Sequence, residues 1–266
     1  GTSGRPKGAV LVRRCYDASV SAVEKVIGPI SAEGSLLQVA PMTHASGAML
    51  FPHAKAGAKA YLLDHFEAGL VAKIIEARSI SSIFVVPTML VRLLSTPAAG
   101  THLASLRTIV YGGASMPVDR LRDGLELLGP VFVQIYGLTE STWPVAALGR
   151  HDHLRREAEG ESEESWVARL SSVGLSSGVG EIRVVDEAGT DLGTDLAGEI
   201  LVKGPNTMTG YWSQGQDVDD GKGLDADGWM RTGDIGRCDS GGYLTIVDRL
   251  DDMIVTGGFN VYPREV

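Results

Sequence analysis

The sequence predicts an α/β fold, with helices on both faces of a parallel sheet and a smaller β-rich subdomain after it. Up to about Gln134, short apolar runs alternate with helical patterns, which is typical of βα units. The strand runs are almost continuously apolar, as in a parallel sheet that is covered on both sides. After the polar run "RHDHLRREAEGESEES", short β segments with turn residues replace the βα units.

The individual elements follow from hydrophobic period and from turn residues. An amphipathic helix is predicted over "SVSAVEKVIG", strands over "LLQVA" and "AYLLD", a helix over "EAGLVAKIIEAR", and a strand over "SIFVV". Pro87 and Pro117 each start a further helix, because proline is tolerated in the first helical turn. The strands "TIVYGG" and "VFVQIYG" flank the second of these helices. The β-rich part is predicted over "GEIRVVDEAG", "GEILVKG", "GWMRTGD" and "GYLTIVD".

Changes in composition set the expected domain boundaries. The α/β subdomain is predicted over 1–149, a polar surface loop over 150–172, and the β-rich subdomain over 173–248. His151 and His153 lie in the polar segment, but no third residue stands near them at metal-ligand spacing. A solvated loop is therefore favoured over a metal site there.

Composition excludes several classes of function. The net charge of −9, without a basic cluster, argues against a nucleic-acid-binding protein. Cys15 and Cys238 are far apart and match no metal or disulfide pattern, so a reducing cytoplasm is the expected location. The most apolar stretch, "ISSIFVVPTMLVRLL", is interrupted by Pro87 and Arg92 and is too short for a transmembrane segment, and no signal peptide opens the chain.

The opening stretch "GTSGRPKGAV" has the composition of a phosphate-binding loop. Glycine lets backbone amides approach a ligand, and hydroxyl and lysine side chains donate to phosphate oxygens. The spacing differs from that of P-loop nucleotidases, because Gly8 rather than Ser or Thr follows Lys7. A disordered terminus is the alternative interpretation of these residues.

Four further residues carry candidate chemistry. Thr139 and Glu140 follow a predicted strand, where a hydroxyl and a carboxylate suit a Mg²⁺–phosphate ligand, although a solvated carboxylate is the alternative. Asp234, in "RTGDIG", is either the acceptor of an Asx-turn or a carboxylate that binds two ribose hydroxyls. Arg249 lies among acidic residues, where a surface ion pair is the simpler interpretation.

Seven segments in this order resemble the adenylate-forming acyl- and aryl-CoA synthetases of the AMP-binding superfamily. They are "GTSGRPKG", "PMTHASG", "YGGASMP", "YGLTE", "GEILVKGPNTMTGYW", "GWMRTGDIG" and "DRLDDMIVTGGFNVYPREV". The resemblance spans the chain from Gly1 to Val266. It implies an enzyme that uses ATP and Mg²⁺ to convert a carboxylic acid to an acyl-adenylate, and coenzyme A to form a thioester.

The resemblance also implies a role for each matching residue. Catalytic roles fall to Lys7, Thr139 and Glu140, with Glu140 also the metal ligand. The implied nucleotide-binding residues are Thr2, Ser3, Gly4, Gly113, Ala114, Tyr136, Gly137, Asp234 and Arg249. The implied acyl-pocket residues are His44, Gly47 and Gly112. Residues 249–266 correspond to the hinge, at Asp251, and to the start of a C-terminal domain, with Gly257 and Gly258 on the coenzyme A side.

The chain departs from the family pattern mainly by what it lacks. Members carry a further N-terminal segment and a C-terminal domain with a catalytic lysine, so the chain is expected to be a fragment of the large domain, impaired in isolation. Asp248 replaces the glycine that usually precedes the ribose arginine. Met42, Thr43 and His44 stand where peptide synthetases place an aspartate, which disfavours an amino-acid substrate.

Two alternatives to a coenzyme A ligase remain. One is a non-catalytic module that binds a nucleotide or a partner, and the other is an adenylation domain that loads a carrier protein. The expected partners are a small-molecule carboxylic acid, ATP and coenzyme A. The sequence specifies neither the acid nor whether the protein forms a homo-oligomer.

Overall fold

A computed structural model describes residues 7–43, 45–213, 216–219, 223–252, 254–256 and 259–261 of the chain. The α-helices in this part are α1 (Arg13–Ile27), α2 (Ala45–Ala48), α3 (Leu50–Lys55), α4 (Ala68–Arg78), α5 (Pro87–Leu94), α6 (Ala99–His102), α7 (Val118–Leu128) and α8 (Glu163–Leu170). Short 3₁₀ helices are found at Thr139–Ser141, His151–His153, Glu157–Glu159 and Leu250–Asp252.

The strands follow the same chain order. They are β1 (Gly8–Ala9), β2 (Ser35–Gln38), β3 (Lys59–Leu62), β4 (Ser82–Val85), β5 (Thr108–Gly112), β6 (Phe132–Leu138), β7 (Thr142–Leu148), β8 (Leu175–Ser176), β9 (Glu181–Val185), β10 (Gly198–Lys203), β11 (Tyr211–Ser213), β12 (Gln216–Asp219), β13 (Met230–Cys238), β14 (Leu244–Arg249), β15 (Ile254–Thr256) and β16 (Phe259–Val261).

The chain divides into two compact units, each built from separated segments. The α/β unit comprises Val20–Tyr136 and Ala147–Gly174, and the β-rich unit comprises Gly1–Ser19, Gly137–Ala146 and Leu175–Val266. In this division the first residues group with the C-terminal half of the chain. The reason is a non-local pairing: Gly8 and Ala9 of β1 pair antiparallel with residues of β11.

The α/β unit contains a parallel sheet in which five strands follow the order β3-β2-β4-β5-β6. The chain moves outward from β2 to β3 and then returns past β2 to β4. Right-handed crossovers therefore place α3 on one face of the sheet and α4, α5 and α7 on the other. This arrangement confirms the predicted α/β class with helices on both faces.

The apolar runs that predicted the strands form the core of this unit. Leu36 of β2, Ile83 of β4, Ile109 of β5 and Val133 of β6 have no solvent exposure, and every residue of β5 is buried. Burying one such side chain stabilises the fold by about 1.5–3 kcal/mol. Pro87 is the first residue of α5, as predicted. These contacts fix the position of the loop that follows β5.

The segment 150–172 is more ordered than the expected polar surface loop. It contains two of the 3₁₀ helices and α8, and His153 within it has no solvent exposure. The imidazole Nδ1–H of His153 donates to the carbonyl of Gly149 at 2.7 Å, and its Nε2 lies 2.9 Å from the hydroxyl of Tyr111. The segment shows no clear apolar period because several of its buried side chains, among them His153 and Arg169, are polar.

The β-rich unit contains three antiparallel sheets among its described residues. Their strand orders are β14-β13-β10-β9, β1-β11-β12 and β15-β16. Val185, Leu201 and Trp229 form a buried apolar cluster beside the four-stranded sheet. No α-helix in the described part of the chain has the length and apolar character needed to cross a bilayer.

Candidate active site

Lys7 lies directly before β1, and its position is fixed by the pairing of that strand. The amide of Val10 donates to the carbonyl of Gly210 at 2.9 Å, and the amide of Thr209 donates to the carbonyl of Val10 at 3.0 Å. The Lys7 ammonium lies 5.3 Å from the centroid of the Tyr211 ring. The glycine-rich opening therefore leads into a strand whose lysine is directed towards a particular aromatic face.

The 3₁₀ helix Thr139–Ser141 follows β6 and carries the candidate metal ligands. Thr139 is exposed, while Glu140 is partly buried. The hydroxyl of Tyr211 donates to Oε1 of Glu140 at 3.0 Å, and the amide of Met208 donates to the carbonyl of Glu140 at 2.7 Å. Burial, and then the nearby Glu140 charge, raise the pKa of Tyr211 to about 12. One short segment therefore holds both the backbone and the carboxylate of Glu140.

A strained residue closes this turn. Thr142 has a φ of +46°, which is unusual for a β-branched residue. Its hydroxyl donates to the carbonyl of Asn206 at 3.2 Å, and the Asn206 amide donates to the carbonyl of Ser141 at 2.7 Å. A side chain at Gly137 would put a Cβ 2.5 Å from the Cβ of Trp143. The turn therefore needs glycine on one side of it and the buried Asn206 on the other.

Asp234 and Arg249 lie opposite each other on β13 and β14. The Arg249 Nε is 2.9 Å from Oδ1 of the buried Asp234, while about half of the Arg249 side chain is exposed. Gly233 has a φ of +70°, which glycine adopts without strain. The sequence-predicted pair is thus brought together, as a carboxylate whose charge is balanced by a partly exposed guanidinium.

Asp248 has a structural reason for departing from the family pattern. Its side chain is buried, and its Oδ1 accepts a hydrogen bond from the backbone amide of Arg249 at 2.8 Å. A glycine at this position would leave that amide without this acceptor. Although Asp248 replaces the usual glycine, Arg249 still lies on β14, opposite Asp234.

The remaining described candidates lie in the α/β unit, apart from the backbone of Asp251, which lies in the 3₁₀ helix Leu250–Asp252. Gly113 has a φ of +82°, Ala114 is exposed, and Tyr136 is partly buried near the end of β6. A Cβ on Gly112 would lie 2.3 Å from the Ile135 carbonyl oxygen, and one on Gly47 would lie 1.9 Å from the Met42 carbonyl oxygen. Close backbone approach therefore explains both glycines that the resemblance assigned to an acyl pocket.

Several sequence-predicted positions lie outside the described residues. They are Thr2, Ser3, Gly4, His44, Gly257 and Gly258. Their implied roles remain predictions.

The residues at the turn fit a magnesium ion that is bound together with a phosphate ligand. Thr139 and Glu140 offer a hydroxyl and a carboxylate, which are hard oxygen ligands. Within the part of the chain that the structure describes, no group of three His, Cys, Asp or Glu side chains could hold a metal by itself. Magnesium in phosphate sites is usually held by one or two protein oxygens together with phosphate and water, and the donor set here has that size.

Sequence reasoning missed two residues of this site. Tyr211 and Asn206 were within a family segment, "GEILVKGPNTMTGYW", but neither received a role. Tyr211 is 71 residues from Glu140 along the chain, and Asn206 is 65 residues from Ser141. The sequence signal for both residues was their position in this family segment. Their contacts with Glu140 and Ser141 depend on the fold.

The parallel sheet, the hydroxyl–carboxylate turn after β6 and the Asp234–Arg249 pair are features expected of the adenylate-forming class. Residues 1–212 match the family model described as AMP-binding enzyme. The chain belongs to this family.

Curated relatives of the chain are coenzyme A ligases. A medium/long-chain-fatty-acid–CoA ligase of Mycobacterium tuberculosis is 35% identical over 267 residues, which are all of this chain and 44% of that protein. A feruloyl-CoA synthase of an Amycolatopsis species is 33% identical over 274 residues, which cover all of this chain and 51% of the relative. The chain therefore spans about half the length of the curated relatives that it matches.

Solved structures with the same fold include enzymes with different acceptors. The amide bond synthetase McbA of Marinactinospora thermotolerans is 32% identical with a TM-score of 0.85, covering 98% of this chain and 50% of that one. The o-succinylbenzoate CoA synthetase of Bacillus subtilis, in complex with its acyl-adenylate, is 29% identical with a TM-score of 0.83, covering all of this chain and 51% of that one. Another structure of that synthetase contains ATP and a magnesium ion.

Proposed function

We propose that the protein containing this chain activates a carboxylic acid with ATP and transfers the acyl group to the thiol of coenzyme A. The observation that carries this proposal is the cluster of Lys7, Glu140 and Tyr211. In it a cation from the glycine-rich segment and a carboxylate from the turn after β6 contact one side chain. Family membership and the names of the relatives support the same reaction class.

The first half-reaction forms an acyl-adenylate. An oxygen of the substrate carboxylate attacks the α-phosphorus of ATP, a new C–O–P linkage forms, and the bond to the β-phosphate breaks to release pyrophosphate. Lys7 balances charge on the β- and γ-phosphates, and Thr139 and Glu140 are the residues that would hold a magnesium ion. A bound magnesium ion would neutralise charge that develops on the transferred phosphorus and its leaving group.

The second half-reaction transfers the acyl group. The sulfur of the thiol attacks the acyl carbon, the thioester forms, and AMP leaves with the bonding electron pair. We assign Asp251 to the hinge between the two half-reactions and Gly257 and Gly258 to the coenzyme A side. Both assignments rest on the family resemblance.

The remaining site residues bind the nucleotide and the acid in this proposal. Asp234 and Arg249 bind the ribose, and Tyr136 stacks on the adenine beside Gly113 and Ala114. The acyl pocket is assigned to His44, Gly47 and Gly112, and Thr2, Ser3, Gly4 and Gly137 complete the phosphate side. The location that suits such chemistry is the cytoplasm, where ATP and coenzyme A are available.

A second acceptor is favoured by one specific observation. The similarity to an amide bond synthetase, at a TM-score of 0.85, supports an amine in place of the thiol. A carrier-protein thiol and a nucleotide-binding module without catalysis are further alternatives. All of them except the last share the adenylation step, so that step is the one to test first.

The test uses the full-length protein and its Glu140→Gln variant. Exchange of labelled pyrophosphate into ATP, over a panel of aliphatic and aromatic acids, measures adenylation without any acceptor. We expect exchange with at least one acid, and Glu140→Gln should depress it far more than it weakens binding of AMP, which lacks the metal-bridged phosphates.

The controls separate the alternatives. Absence of exchange with every acid, together with intact ATP binding, would favour the non-catalytic module. Equal losses of pyrophosphate exchange and of AMP binding in Glu140→Gln would show that Glu140 is not a metal ligand. Adding coenzyme A or an amine to the active acid then identifies the acceptor by the product formed.

A further inference from the structure

Tyr211 contacts two oppositely charged side chains with two different parts of its own. Its hydroxyl donates to Oε1 of Glu140 at 3.0 Å, and its ring lies under the Lys7 ammonium, 5.3 Å from it. A phenylalanine could make only the second contact, and a serine or threonine could make only the first. The choice of tyrosine at this position is therefore informative.

We propose that Tyr211 is a positioning residue that presents Glu140 to a magnesium ion and Lys7 to the terminal phosphates of ATP. The inference rests on the proposed function, because it assumes that the cluster binds magnesium–ATP. It adds a residue that touches neither the metal nor the reacting atoms and acts through the two side chains that do.

The hydroxyl determines how Glu140 is presented. A carboxylate has two oxygens, and a hydrogen bond to Oε1 stops the group from rotating freely while Oε2 is available to a cation. The hydrogen bond also disfavours a geometry in which both oxygens turn to the metal. Magnesium demands near-ideal octahedral geometry, so a fixed carboxylate direction should increase its affinity.

The aromatic ring determines where Lys7 is held. A cation above a tyrosine face is attracted by the ring quadrupole, which restrains a long and otherwise mobile side chain. The Tyr211 hydroxyl bonds to the Glu140 carboxylate, and the ring face contacts the Lys7 ammonium. One rigid side chain therefore holds both charged groups near each other. Lys7 thus remains available to a phosphate.

The backbone around Tyr211 reinforces this role. The amide of Thr209 donates to the carbonyl of Val10, the residue after β1, and the amide of Met208 donates to the carbonyl of Glu140. Tyr211 itself pairs with Ala9 of β1. The same short segment therefore fixes the backbones of both partners, and the Tyr211 side chain fixes their charged ends.

The test compares two variants that remove different parts of Tyr211. Tyr211→Phe deletes only the hydroxyl, and Tyr211→Leu deletes the hydroxyl and the ring face. Binding of ATP and AMP to the full-length protein is measured by calorimetry, first with a chelator and then over a magnesium series. Tyr16→Phe is the matched control, because Tyr16 is an exposed tyrosine on α1 in the same unit.

The expected results differ between the variants. Tyr211→Phe should raise the magnesium concentration for half-maximal enhancement of ATP binding by about three- to tenfold, the equivalent of one hydrogen bond of ordinary net strength. Its metal-free affinity for ATP and its affinity for AMP should stay within twofold of the wild type. Tyr211→Leu should in addition lose about two- to fivefold in metal-free ATP affinity, but not in AMP affinity, as expected for a lost cation–π contact.

The remaining outcomes overturn one proposal or both. Tyr211 would have only a structural role in either of two cases. One is a magnesium response in Tyr211→Phe equal to that of the wild type, and the other is an equal loss of ATP affinity with and without metal. The same shift in Tyr16→Phe would show that the effect is not specific to Tyr211. If the wild type binds ATP without any magnesium effect, the proposed function fails together with this inference.

Discussion

At the scale of single residues, two carboxylates of the candidate site each contact another side chain of the protein in the absence of a ligand. Asp234 is buried and paired with Arg249, and Glu140 accepts a hydrogen bond from Tyr211. A buried carboxylate with a cationic partner avoids most of the cost of an isolated buried charge. These contacts restrain the orientation of both carboxylates.

The ribose role of Asp234 gives a prediction for a single substitution. Asp234→Ala should weaken ATP and AMP binding alike, by about tenfold or more, because hydrogen bonds to a charged acceptor contribute roughly 1.5–3 kcal/mol each and both nucleotides share the ribose. The measurement is the affinity of the wild type and the variant for ATP and for 2′-deoxy-ATP. The wild type should discriminate between these nucleotides and the variant should not. An unchanged ratio would show that Asp234 has a structural role in its pairing with Arg249 and does not bind the ribose.

The sequence predicted the identity of these residues better than their contacts. Asp234 and Arg249 could be chosen because each stands in a recognisable segment, and β-strand pairing then brings them together. Tyr211 could not be chosen, because its role depends on side chains 71 residues away and near the start of the chain. The glycines show the converse problem. Gly47 and Gly112 matched an acyl pocket in sequence, but the structure gives each a local packing reason.

At the scale of elements, the segment 150–172 shows that a helical segment with buried polar groups can have the sequence pattern of a loop. Arg169 of α8 is buried and pairs with Glu161 at 2.7 Å, and the indole of Trp166 donates to the carbonyl of His153 at 2.9 Å. Hydrophobic period cannot reveal an element whose interior contacts are ion pairs and hydrogen bonds. The helix α8 was therefore absent from the sequence-based prediction.

The buried His153 predicts a pH dependence of stability. Burial lowers its pKa in the folded state to about 4, below the ordinary 6.5. Between these values the unfolded state binds more protons, so the free energy of unfolding should fall as the pH falls from 6.5 towards 4. The expected contribution of this one group is a loss of about 2 kcal/mol between pH 7 and pH 5.

Urea denaturation at several pH values measures this contribution. His153→Gln should remove most of the difference between pH 7 and pH 5, whatever its effect on stability at pH 7. His151→Gln is the matched control, because His151 lies in the same 3₁₀ helix but is exposed. Equal pH slopes in His153→Gln and the wild type would show that His153 does not stay neutral in the folded protein.

At the scale of the whole molecule, each of the two compact units is built from separated segments of the chain. The sequence changes its pattern once, near residue 150, whereas the chain passes between the units several times. Strand pairing over about two hundred residues, as between β1 and β11, leaves no local signal in composition. The order of β and α patterns was sufficient to predict the fold class, but not the grouping of the segments.

The edge strand β3 gives a prediction for the behaviour of the isolated chain. β3 is the terminal strand of its sheet, and the side chains of Ala60 and Leu62 on it are exposed. Unpaired backbone groups and an apolar face at a sheet edge favour association with another chain. The 266-residue chain should therefore self-associate, and Leu62→Lys should reduce this by placing a charge at the edge.

Sedimentation velocity over a concentration series measures the association. Leu196→Lys is the matched control, because Leu196 is about as exposed as Leu62 but lies between strands in the β-rich unit. It should leave association unchanged. A wild-type chain that stays monomeric at high concentration would contradict the expectation, and an equal effect of both substitutions would assign it to net charge rather than to the edge of β3.

The two consecutive amides of Met208 and Thr209 bind different neighbours, the Glu140 carbonyl and the Val10 carbonyl. The hydrogen–deuterium exchange rates of these two amide protons therefore report on the two contacts separately. Release of the glycine-rich segment alone would speed exchange at Thr209, and opening of the Thr139–Ser141 turn alone would speed it at Met208. Equal acceleration at both would mean that the segment and the turn detach in a single step. Two adjacent positions in one spectrum thus distinguish the order of events on either side of the candidate phosphate site.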